Sequence, residues 1–207
     1  MKVLLGTTNP SKVARFEELL PNSGIEFLTL KDLNITAEPE ETGCTPEENA
    51  RIKAAFYGQY CDRVICNDSG LYFDGLPLDD PRQPGLNVRA PKGQRLKDEE
   101  MIQYYASLIS SLGGQVLAYY LDGIAVYRDG QIHSFLDEQG KAEAFYMVDQ
   151  PSSERHPGWP LDSISLNRNT MTYFTDHSSK GETEEQIMVG DYRQRVIRFL
   201  AEALGLE

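Results

Sequence analysis

No stretch of this chain is apolar for long enough to cross a bilayer, and no charged start leads into a long apolar run of the kind that marks a secretory leader. The expectation is a cytoplasmic protein. Cysteine is scarce. Cys44, Cys61 and Cys66 are odd in number and none belongs to a CxxC pair, which argues against a disulfide framework or zinc-site spacing and predicts reduced thiols. His133, His156 and His177 are scattered and form no metal-ligand pattern. Positive charge is short: 20 Lys and Arg face 32 Asp and Glu, a net charge of −12. That balance argues against an electrostatic grip on a nucleic-acid polymer, which needs a basic surface. A small anionic substrate stays possible if a few cations and a metal ion gather at one place. Internal repeats, low-complexity tracts and flexible linkers are also missing.

What is present suits one sizeable α/β domain: 207 residues, 40% hydrophobic and 25% charged. Strands are expected at 2–6, 25–30 and 63–67, and helices at 10–20 and 46–59. A Pro- and Asp-rich loop at 77–93 precedes a helix at 97–112. Residues 116–148 carry strand-forming runs about Asp129-Gly130, a strong hairpin dipeptide. A last helix over 191–205 places Val196, Phe199, Leu200, Ala203 and Leu204 on one core-facing stripe. The order predicts a mixed, twisted sheet with helices on its faces and an antiparallel extension after residue 115.

Three short stretches carry the chemistry. In "TTNPSK" (7–12) an apolar strand breaks into small polar residues. Asn9 suits a helix N-cap and Pro10 the first helical position, so amides near Ser11 and Lys12 are expected to face outward beside the Lys12 charge. An ordinary turn with a solvated lysine is the simpler alternative. In "ETGCTPEENARIKA" (41–54) Glu41 sits in a loop where it can hold a divalent cation. Thr45, Pro46 and Glu48 open the next helix as a capping box, and Asn49 and Lys53 share a helix face. The alternative is a set of solvated acids with Lys53 paired to Asn49 or Glu48. In "CNDSGL" (66–71) Asp68 is expected at a strand end, where a carboxylate can ligate magnesium, activate a water, or simply form a turn.

Taken in order, "TTNPSK", "ETGCTPEENARIKA", "DSGL" (68–71) and "PGLNVRA" (84–90) resemble the inosine/xanthosine triphosphate pyrophosphatase family, which hydrolyses noncanonical purine nucleotides. The C-terminal half matches more loosely. "HPGWPLDSISL" (156–166) keeps Trp159 and Asp162 of the base-surrounding segment but has Leu161 for a tyrosine and Ser163 for a proline. Asp191 and Tyr192 replace a Ser-His pair ahead of the retained Arg193, "TEEQIMVG" lacks the family's lysine, and Asn67 replaces an acid. Arg193 lies on the face of Ile197, Leu200 and Leu204. It is expected to point inward at a helix start, seeking Asp191, Asp162 or a ligand phosphate.

The resemblance implies an α/β fold: a long twisted mixed sheet with helices on both faces and two lobes around a central cleft. It implies a Mg2+- or Mn2+-dependent pyrophosphatase, cytoplasmic and homodimeric, that releases a nucleoside monophosphate and pyrophosphate. Lys12 with the Thr8-Asn9 turn, plus Lys53, would hold the phosphates, with Lys12 also catalytic, and Thr7, Asn49 and Ser69 would also bind the substrate. Glu41 and Asp68 would hold the metal, Asp68 alternatively activating the water. Trp159, Asp162 and Arg193 would face the base, with Arg89 on the cleft wall. The departures leave open a different base preference, or a nucleotide-binding protein without turnover.

Overall fold

The computed structural model describes residues 1–21, 23–136, 141, 144–177 and 190–206. Its chain forms two compact units, the first of residues 1–69, 122–137 and 189–207 and the second of 70–121 and 138–188. Strands β3 (Arg63–Phe73) and β4 (Gln115–Arg128) supply residues to both.

In the first unit, β1 (Lys2–Leu5) pairs in parallel with β2 (Glu26–Thr29) on one side and with β3 on the other, Leu4 opposite Val64 and Leu5 opposite Ile65. The antiparallel partners β4 and β5 (Gln131–Leu136) meet through Asp129-Gly130. Both turn residues have positive φ, 51° and 87°, as the expected two-residue hairpin requires.

Because successive strand residues face opposite ways, the apolar strands of this unit are covered on both sides. Val3, Leu5, Ile65, Ile124 and Val126 pack against α1 (Pro10–Leu19) and the final helix, α4 (Gly190–Leu204), through Phe16, Leu19, Val196, Leu200 and Leu204. Leu4, Val64, Cys66 and Ala125 pack against Ala50, Ala54 and Tyr57 of α2 (Pro46–Tyr57). The expectation of a mixed sheet with helices on both faces holds here.

In the second unit, β6 (Phe145–Val148) pairs antiparallel with β4 and with the two-residue β7 (Ser165–Leu166). Helix α3 (Asp98–Ser111) buries Met101, Ile102, Tyr105 and Ile109 against Leu71, Phe73, Phe145 and Met147.

One expectation fails in an instructive way. Strand β3 does not stop at residue 67; it runs unbroken through Asn67-Asp68-Ser69-Gly70 to Phe73. A run of four small or polar residues reads as a turn, but here the alternating side chains are hydrogen-bonded on either face, so the ladder can continue.

Gly123 of β4 lies against the start of α2. A Cβ built there would come within 2.2 Å of the Glu47 nitrogen and 2.3 Å of the Pro46 carbonyl carbon, both backbone atoms that cannot swing aside. Gly123→Ala is expected to destabilise the protein by roughly 1–3 kcal/mol, the usual cost of overpacking. Urea unfolding measures it, and an unchanged midpoint would contradict this close approach.

Candidate active site

The site grows from the carboxyl end of β1. Beyond Leu5 the backbone turns tightly, with the Thr7 amide donating to the Leu5 carbonyl at 2.8 Å. The Thr7 hydroxyl oxygen accepts from the Asn9 amide at 3.1 Å. The Asn9 carboxamide oxygen then caps α1 by accepting from the Ser11 amide at 3.0 Å, as its sequence position predicts. The amides of Ser11 and Lys12 are not free, however: the Lys12 amide also donates to the Asn9 carbonyl, at 3.1 Å.

The charged group left for an anion in this turn is the Lys12 side chain. It is half-buried and has no hydrogen-bond or ion-pair partner among the described residues. Burial holds its pKa below the usual lysine value, with Lys53 and Arg15 pushing the same way and Asp122 and Asp68 opposing. A buried ammonium without a counter-ion is expensive unless a ligand supplies the charge.

Helix α2 supplies the second part. The Thr45 hydroxyl accepts from the Glu48 amide at 3.1 Å, while the Glu48 carboxylate reaches back to the Cys44 amide at 2.6 Å, one residue beyond the expected capping-box partner. Asn49, 3% exposed, accepts from the Gly43 amide at 2.8 Å through its oxygen and donates to Asp68 Oδ2 at 3.1 Å. One helical turn on, Lys53 Nζ lies 3.0 Å from Asp68 Oδ1 and 3.0 Å from Glu41 Oε2. The shared face of Asn49 and Lys53 thus grips both oxygens of Asp68. Lys53 is no solvated surface residue. Burial alone would lower its pKa, but the two carboxylates outweigh burial and raise it.

On the opposite face of β3 lies a second polar network. Ser69 donates to Asp122 Oδ1 at 2.5 Å, and Asn67 donates to Ser69 Oγ at 3.3 Å. The other oxygen of Asp122 accepts from Arg15 Nη2 at 2.7 Å and from the Tyr192 hydroxyl at 2.6 Å, while Arg15 Nη2 also donates to that hydroxyl. Burial would raise the Asp122 carboxyl, but the Arg15 charge and the hydrogen bonds from Ser69, Tyr192 and Arg15 win and bring it down to about 2.

Sequence reasoning missed Arg15 and Asp122, although one signal was available: an acid inside the strand-forming run "VLAYYLDGIAV" needs a buried partner. Tyr192, read as a change beside the base, belongs to this network.

The remaining predicted residues are placed differently. Among the described residues Arg193 has no anionic partner; its Nη2 donates to the Glu18 carbonyl at 2.8 Å, in the last turn of α1, where helix carbonyls lack internal partners. The Asp191 side chain and the lysine-lacking stretch before it lie outside the described residues, except for the backbone of Gly190. In the second unit, Arg89 pairs with Asp98 at the start of α3 at 2.7 Å. Trp159 is 40% exposed. Asp162 Oδ2 lies 2.9 Å from His156 Nδ1, and burial raises the Asp162 carboxyl despite that neighbour. Leu161 and Ser163 are both buried. Leu161 belongs to the apolar core, and the buried Ser163 hydroxyl donates to the Pro160 carbonyl at 2.9 Å.

Among the described residues no group of three or more His, Cys, Asp and Glu gathers about one point. A metal here would draw on Glu41 and Asp68, whose oxygens converge on one positive charge, the Lys53 ammonium. Magnesium is commonly held by one or two carboxylates and completes its shell with substrate phosphates and water, so this pair fits it.

The sequence profile of the Ham1 family matches residues 3–166, most of the chain. The chain belongs to the Ham1 family. Among Ham1 relatives, the protein named dITP/XTP pyrophosphatase from Bacillus subtilis is 30% identical over 180 residues, covering 84% of this chain and 86% of its own. One of the same name from Leptospira interrogans serovar copenhageni is 35% identical over 146 residues, covering 69% and 68%. A solved HAM1 protein from Coxiella burnetii has the same fold, with a TM-score of 0.74 at 21% identity over 98% of this chain and 100% of that one. The Ham1 match takes in the Lys12, Lys53 and Asp68 stretches and stops short of α4, where the Asp191-Tyr192 departures lie.

Proposed function

We propose that the chain hydrolyses nucleoside triphosphates to the monophosphate and pyrophosphate, with noncanonical purine nucleotides as substrates and Mg2+ or Mn2+ as cofactor. It is a hydrolase acting on acid anhydrides, as its named relatives are. The observation that carries the reading is the half-buried Lys12 ammonium, without a partner among the described residues and within electrostatic reach of the Lys53–Asp68 pair. Such a cation calls for an anion from outside the protein, and a phosphate chain supplies one.

In this reading Lys12, with the Thr7, Thr8 and Asn9 turn, holds the phosphates. Lys53 and Asn49 fix the Asp68 carboxylate, which accepts the proton of the attacking water. Glu41 and Asp68 would hold the metal, which would neutralise phosphate charge. Phosphoryl substitution asks little covalent chemistry of a protein, so positioning and charge are the main contributions. Ser69 already donates its hydroxyl proton to Asp122 and can meet substrate only as an acceptor. Trp159 and Asp162 face the base in this reading, and the active form is a cytoplasmic homodimer.

A second reading, binding without turnover, is favoured by Asn67. It is an amide where the resemblance expects an acid, it is 3% exposed, and its Oδ1 has no hydrogen-bond partner among the described residues.

Pyrophosphate release from a panel of nucleoside triphosphates with magnesium decides between them. The expected result is release from inosine and xanthosine nucleotides that stops in excess chelator. Hydrolysis undiminished by chelator overturns the metal role, and tight binding with no release from any nucleotide establishes the second reading.

A further inference from the structure

We propose that Arg15 is a further substrate-binding residue of this site, a guanidinium held by Asp122 and Tyr192 so that its remaining N–H groups take a phosphate oxygen alongside Lys12. The proposal deepens the hydrolytic reading and rests on it for the identity of the ligand.

Its first support is how the guanidinium is used. Both polar contacts of Arg15 go through a single atom, Nη2, which meets Asp122 Oδ2 at 2.7 Å and the Tyr192 hydroxyl. Nε and Nη1 have no partner among the described residues, nor are they sealed from solvent. A planar fork fixed on one side and open on the other suits recognition of a second oxyanion. The second support is position. Arg15 follows Lys12 by three residues on α1, the spacing that places two side chains on one helix face. The Arg15 charge disfavours that of Lys12, and an anion beside both would relieve the repulsion.

The third support is the cost of the arrangement. The Arg15 and Asp122 side chains are 25% and 14% exposed, and the pair takes two hydroxyls, from Ser69 and Tyr192, to satisfy the carboxylate. The Tyr192 ring also lies beneath the guanidinium, 5.4 Å from centroid to Cζ, and steadies its plane. A buried ion pair is a poor way to add stability when apolar residues would serve as well. Holding a cation in place for a ligand accounts for it better.

The test is pyrophosphate binding, measured by calorimetry with magnesium on the native chain and on Arg15→Ala and Arg15→Lys, with unfolding curves of each. Removing a charge-assisted phosphate contact is expected to weaken binding by about tenfold or more. Arg15→Lys should recover part of that loss, since it keeps the charge but not the fork. In hydrolysis the loss should fall on KM rather than kcat. Arg15→Ala that unfolds more easily yet binds pyrophosphate within twofold of native makes Arg15 a structural ion-pair member and overturns the proposal. If Arg15→Ala does not fold, the same comparison is made with Arg15→Lys, where affinity equal to native overturns it. Because binding is read without turnover, a native chain that binds pyrophosphate but hydrolyses nothing removes the hydrolytic reading and leaves the Arg15 comparison decisive on its own.

Discussion

Asp68→Asn is expected to lower kcat on the best nucleotide by about 10²–10⁴, the range for loss of a positioned general base, with a larger loss if the carboxylate also holds the metal. The structure sharpens this result. Asp68 lies inside β3 rather than in a turn, so the turn-forming equivalence of Asp and Asn no longer offers a structural excuse for a small effect. The isosteric amide keeps the side chain's volume, and Lys53 keeps its 3.0 Å contact with Glu41, so the fold should survive. Saturating kinetics with magnesium, beside an unfolding curve, is the measurement. A folded Asp68→Asn protein that turns over within a fewfold of native would remove Asp68 from the chemistry.

Asp122→Ala should be strongly destabilising. It leaves the Arg15 guanidinium without its counter-ion and takes away the carboxylate to which Ser69 and Tyr192 donate. Removing one partner of a buried pair costs about 3–5 kcal/mol, and the lower end applies because Arg15 partly reaches water. The pH dependence has a definite sign. Asp122 binds its proton less readily folded than unfolded, about 2 against 3.8, so its contribution is complete above the unfolded value and fades as pH falls towards the folded one. The native protein's advantage over Asp122→Ala in urea unfolding should therefore be full near neutrality and shrink on acidification through the ordinary carboxylate range. A gap of under about 1 kcal/mol at neutral pH would place the pair among those that contribute little.

The parts of the site that were legible in sequence are the local ones. Asn9 and Thr45 announce helix starts because capping depends on a few adjacent residues, and both caps are found. Asn49 and Lys53 announce a common face because helical geometry alone places them there. Asp129-Gly130 announces its hairpin for the same reason. The parts that were not legible depend on partners distant in sequence. Asn67 to Gly70 read as a turn until Asn49, Lys53 and Asp122 are known to hold Asp68 and Ser69 in the strand. Arg193 read as an inward cation until the carbonyl of Glu18, 175 residues away, is seen to take it.

Strand β3 carries Asp68 towards α2 and its neighbours Asn67 and Ser69 towards the Asp122 side, so the two networks are interleaved residue by residue. Losing or gaining one residue between Ile65 and Ser69 would exchange their faces, presenting the aspartate to Asp122 and the serine to Lys53. This part of the gene can therefore explore substitutions one at a time, but its length is frozen. A change of length here is expected to break both networks at once, where a single replacement alters one side chain and leaves the alternation intact.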